Sequence, residues 1–169
     1  DLDQVKKIGV ALGEEAQAKD VDVLLGPTIN IHRHPLGGRH FESFSEDPFL
    51  TGKIASSYVQ GVQSQNVAAC LKHFVGNDTE FERHSISSNI DEQTLREIYL
   101  LPFEIGVKEG NAKVVMSAYN KLNNIYCSSH QELLIEILKK EWGFDGYVVS
   151  DWGAALETEE NANGGLDLE

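Results

Sequence analysis

Positive charge is scarce in this chain. Fourteen Lys and Arg stand against 27 Asp and Glu, a net charge of −13 over 169 residues. Such a surface repels phosphates, which disfavours nucleic acid and anionic membranes as partners. It suits a neutral ligand such as a sugar, although most of the charge serves solubility. Cysteine is scarcer: Cys70 and Cys127 are too few for a disulfide framework. Cys70 lies inside an apolar run and reads as a small core residue. Long apolar stretches are also missing. No run approaches the ~20 residues of a membrane span, and the opening residues do not read as a signal peptide. Low-complexity tracts and close internal repeats are absent. The remaining composition, 41% hydrophobic and 24% charged, is that of one globular domain with a real core.

Four units of similar grammar follow one another. Val5, Ile8, Leu12 and Ala16 recur at helical spacing, which predicts a helix over residues 1–20. An apolar run, Val21 to Pro27, follows it. Helices are predicted over about 49–63, 91–109 and 129–141, each leading into a further apolar run: 67–74, 114–119 and 147–149. Acidic Asp91 and Glu92 suit the start of the third helix. The apolar runs centre about 33 to 47 residues apart. Helix alternating with strand argues for parallel βα units, and continuously apolar runs argue for strands covered on both faces. From this pattern alone, a barrel and an open doubly wound sheet both remain. In either fold, function sits at the C-terminal strand ends. The loops there are long and rich in charge, His and Gly.

The fourth run ends in Ser150-Asp151-Trp152. A carboxylate and a large aromatic at a strand mouth pack poorly, but they suit holding and attacking a sugar ring. Asp151 is therefore the first catalytic candidate. In the first loop, Arg33, Arg39, Glu42, Glu46 and Asp47 read mostly as an ion-pair network. Arg39, framed by Gly37 and Gly38, is the one best placed to reach hydroxyls with its five donors. Lys72 and His73 close the second run. A buried ammonium needs a partner, yet both can face one ligand only if the strand twists as it ends. Tyr119 closes the third run. It is read either as a donor to a nucleophilic carboxylate or as a core tyrosine satisfied by backbone. Met116 is read as packing. Glu42 and Asp78 are the only carboxyls in this chain considered as a proton donor, and the charged loops around them are expected to lower both pKa values.

Gly38-Arg39, Phe41-Glu42, Glu46-Asp47-Pro48, Lys72-His73-Phe74, Met116 to Asn120 and Ser150-Asp151-Trp152 occur in this order. In this combination the chain resembles the catalytic barrel domain of glycoside hydrolase family 3, nearest its β-glucosidases. The resemblance runs from Val21 to Glu169. It implies a partial (β/α)8 barrel of about four βα units, cut at both ends from a larger domain. It implies a retaining mechanism with Asp151 as nucleophile and no metal or cofactor. By the same resemblance Arg39, Lys72 and His73 bind sugar hydroxyls, Arg83 lies near them, Tyr119 contacts the nucleophile and Trp152 lines the sugar site. The substrate implied is a terminal β-glucoside or an oligosaccharide. The acid/base is implied to come from a second domain absent from these 169 residues. One departure argues against the family's β-N-acetylglucosaminidases: Val75 stands where that branch has Pro, and Arg83, His84 and Ser85 stand where it has its Asp-Ser-His element.

Competing readings are a β-xylosidase, a sugar-binding segment without turnover, and a metal-dependent barrel hydrolase using His32, His34, His73 and Asp151. About four units of a fold that takes about 250 residues leave sheet edges free. Self-association, including a homo-oligomer, is therefore an expectation. The compartment is left open, with the cytoplasm as default.

Overall fold

A computed structural model describes residues 1–169. Helix α1, Leu2–Gln17, starts where the Asp1 side chain accepts from the amides of Asp3 and Gln4. This is a standard way to satisfy the first free N–H groups of a helix. Strand β1 is only Val23–Leu24, shorter than the run of 21–27 that the sequence suggests. The chain nevertheless stays beside the next strand, through a parallel bridge from Thr28 to Lys72. Helix α2, Pro48–Gln63, combines Asp47 as N-cap, accepting from the Leu50 amide, with proline in its first turn. Strand β2, Ala68–Phe74, follows.

Three short strands and a last helix were not expected from the sequence. Short strands β3 (Ser87–Ser88), β5 (Lys121–Leu122) and β6 (Ile125–Tyr126) form a small sheet that braces the loop after β2. The third helix is composite: α3 (Glu92–Thr94) passes through a π-type stretch, Leu95–Tyr99, into α4, Leu101–Lys108. The helix Glu132–Glu141 is π-type throughout. Strand β4 is Val114–Ser117 and β7 is Tyr147–Ser150. A last helix, Thr158–Gly164, had not been anticipated.

The main sheet has the order β1-β2-β4-β7, and every pairing in it is parallel. Leu168 continues this order with a parallel bridge to Val149. These are the consecutive βα units of a barrel, in which each strand lies beside the next in sequence. A doubly wound sheet would reverse direction partway along the strand order. Leu71, Val115 and Val148 point to the helices and join the large core with Phe74, Phe103 and Leu134. Cys70, Val114 and Met116 point to the opposite face and form a small second cluster. Both faces of the central strands are thus apolar, as parallel strands require. Cys70 and Cys127 are buried and free, and burial pushes both thiols up to about 12. No helix is long and apolar enough to cross a membrane.

Candidate active site

The C-terminal ends of β1, β2, β4 and β7 converge on one polar cluster. Asp151 follows β7 and is nearly buried, at 7% exposure. Its Oδ1 accepts from the Trp152 amide at 2.8 Å. Its Oδ2 has no hydrogen-bond partner. A buried carboxylate oxygen with no donor is costly to maintain unless a bound ligand uses it.

His73 Nε2 lies 3.5 Å from that oxygen. The contact has the geometry of an ion pair but not the charge. Burial first, and then the Arg39 and Lys72 charges, pull the His73 pKa down to about 3, so the imidazole is neutral near pH 7. Around it, Arg39 Nη1 stands 3.2 Å from Nε2. Glu42 ties three groups together: it accepts from Arg39 Nε, accepts from the Thr28 hydroxyl at 2.6 Å, and sits 3.9 Å from Lys72 Nζ. Lys72 and His73, adjacent on one strand, both reach the cluster. The register of β2 against β4 shifts between Leu71 and Phe74, so the strict alternation of faces is broken where the strand ends.

Tyr119 closes the cluster. Its hydroxyl donates to the Trp152 carbonyl at 2.8 Å and also lies within hydrogen-bonding influence of the Asp151 carboxylate, so both roles weighed for it find a partner. Burial and the adjacent Asp151 charge both raise the phenol's pKa. Arg83 stacks over the Tyr119 ring, 4.7 Å from its centroid, and pairs with Glu80. Trp152 is 79% exposed, its indole free at the rim.

Of the two carboxyls weighed as proton donors, Glu42 has its pKa lowered, by its bonds to Arg39 and Thr28 working against burial. Asp78 behaves oppositely to expectation. Burial outweighs Arg33 and His40 and raises it to about 6, because the loop folds inward and leaves Asp78 little solvent. The histidines of the first loop do not assemble with Asp151. His32 stacks on His40 at 4.6 Å, and no group of three or more His, Cys, Asp or Glu is placed to hold a metal ion. The metal-dependent reading therefore lacks a ligand set. Sequence reasoning missed Asn30, whose side chain bonds only to His73. Its sole signal was a polar residue just past an apolar run.

Parallel βα units that gather a carboxylate, an arginine, a lysine and a neutral histidine at their C-terminal strand ends define the catalytic-barrel class of α/β proteins. Within that class the chain belongs to glycosyl hydrolase family 3, whose N terminal domain model matches residues 1–165. Among curated relatives, a β-glucosidase of Rhizobium radiobacter is 56% identical over all 169 residues, and thermostable β-glucosidase B of Acetivibrio thermocellus is 54% identical. The chain spans 21% and 22% of their lengths. Among solved structures, β-glucosidase 3B from Thermotoga neapolitana in complex with glucose superposes with a TM-score of 0.98 at 52% identity. That match covers 99% of this chain and 24% of the other.

Proposed function

We propose that this chain is part of a retaining β-glucosidase in which Asp151 is the nucleophile. The observation that carries the reading is Asp151 Oδ2: buried, without a partner, and set among Arg39, His73 and Tyr119 at a strand mouth. In the first step Oδ2 attacks the anomeric carbon, the bond to the leaving oxygen breaks, and a proton is delivered to that oxygen. In the second step water, deprotonated by the same acid/base group, displaces Asp151 and restores the carboxylate. Arg39 and Lys72, both braced on Glu42, would hold the sugar's hydroxyls. Arg83 and Trp152 would border the pocket, with the exposed indole offering a face for sugar stacking.

Retention calls for a second carboxyl about 5–5.5 Å from the nucleophile. A donor needs a raised pKa, and Glu42, bonded to Arg39, has a lowered one. Asp78 has a raised one, but the charges that act on it are those of Arg33 and His40, not of Asp151, whose charge a carboxyl about 5 Å away would feel. We therefore assign the acid/base to residues outside these 169, as the family resemblance implies, and read this chain as a segment of a single barrel domain. The names of the relatives favour glucose over xylose. In the whole protein, Asp151→Ala is expected to cut turnover of an aryl β-glucoside by at least about 10³-fold. Added azide is expected to restore turnover in part and yield an α-glucosyl azide. Near-normal turnover by the variant, or a β-configured azide product, would refute the assignment.

A further inference from the structure

Asn30 stands just past the first strand with only 7% of its surface exposed. Its side chain is committed to one residue. Nδ2 donates to the His73 carbonyl at 2.9 Å, Oδ1 accepts from the His73 amide at 2.9 Å, and Oδ1 also faces His73 Nδ1 at 3.3 Å. The two backbone bonds fix which way the amide points, since a flipped amide would set donor against donor and acceptor against acceptor. The group facing Nδ1 is therefore a carbonyl oxygen, which can only accept. Nδ1 must carry the proton, and a neutral imidazole has only one. Nε2 is left with a lone pair. Two groups face it: Arg39 Nη1 at 3.2 Å, which only donates, and Asp151 Oδ2 at 3.5 Å, which only accepts. The lone pair takes the Arg39 N–H, and Asp151 Oδ2 receives nothing.

We propose that Asn30 is a positioning residue that locks His73 in the Nδ1–H tautomer, so that Nε2 anchors Arg39 and leaves the attacking oxygen of Asp151 free of a donor. The proposal rests on the nucleophile reading above. With the proton on Nε2 instead, Arg39 would meet an N–H head-on, and His73 would donate to Oδ2 and blunt its attack. The charged groups around His73 are Arg39, Lys72, Arg83, Glu42 and Asp151. None of these lies against Nδ1, where Asn30 is the partner.

The test is nitrogen-15 spectroscopy of the whole protein with labelled histidine, the His73 signals being identified by their loss in His73→Gln. Near neutral pH, His73 is expected to show a protonated Nδ1 and a lone-pair Nε2. In Asn30→Ala the populations should shift toward Nε2–H, with kcat/KM falling about 10–100-fold, mostly through kcat. Asn30→Asp loses the donor to the His73 carbonyl but keeps an acceptor against Nδ1, and should keep the proton on Nδ1. A wild-type Nε2–H signal, or an Asn30→Ala variant that loses thermal stability yet keeps the tautomer, would overturn the proposal. The spectra are read without substrate, so they stand apart from the role of Asp151. A fixed tautomer beside a fully active Asp151→Ala would sink the nucleophile reading alone.

Discussion

At the scale of single residues, burial moves two groups in opposite directions, reinforced by neighbouring charge at His73 and opposed by it at Asp78. His73 is held neutral with a pKa near 3, so its contribution is present above the unfolded value of about 6.5 and is lost as pH falls through about 3. Asp78 is raised to about 6, so its contribution is full below the unfolded value of about 3.9 and is lost as pH rises through about 6. Removing one of the two separates them. Asp78→Asn should gain thermal stability over the parent as pH goes from 4 to 7, by up to about 3 kcal/mol for a two-unit shift. A gap that stays constant across that range would mean Asp78 does not titrate this way. Asp151, Arg39, Lys72, His73 and Tyr119 were legible as candidates because each ends an apolar run or sits in a Gly-framed loop. Asn30 was not, because its contact crosses between strands and depends on a pairing no linear pattern encodes. The direction of the Asp78 shift was misread for a related reason: neighbouring charges are visible in sequence, but burial is not.

At the scale of elements, the first four helices and the strands β2, β4 and β7 were legible from periodicity and apolar runs. The apolar run over 21–27 marked the place of β1 but not its length, because a two-residue strand has no period to detect. The hairpin between β5 and β6 did leave a trace: Asn123 and Asn124 both take positive φ, 49° and 73°, which is the demand of a tight two-residue turn that asparagine meets well. The π-type stretches left none, since widening a hydrogen-bonded turn by one residue hardly alters the spacing of apolar side chains. Helices α1 and α2 pack through glycine on both sides. A Cβ on Gly61 would land on the Lys6 carbonyl oxygen and 2.9 Å from the Gly9 Cα, and one on Gly9 would lie 2.6 Å from the Tyr58 carbonyl oxygen. Backbone cannot yield as a flexible side chain can. Gly61→Ala is therefore expected to lower stability by about 1–3 kcal/mol in denaturant unfolding. An unchanged midpoint would mean the two helices separate at little cost.

At the scale of the whole molecule, the sheet gathers residues from chain segments more than a hundred positions apart, from Thr28 to Trp152, around one unpartnered oxygen. Arg39, His73 and Glu42 hold one another in place, and Asn30 fixes the histidine. The direct measurement is to trap the intermediate. The whole protein, treated with a 2-fluoro-β-glucoside carrying a good leaving group, then digested and analysed by mass spectrometry, should carry one added fluoroglucosyl group on the peptide containing Asp151. The same label on any other carboxylate, or inactivation with no label, would contradict the account.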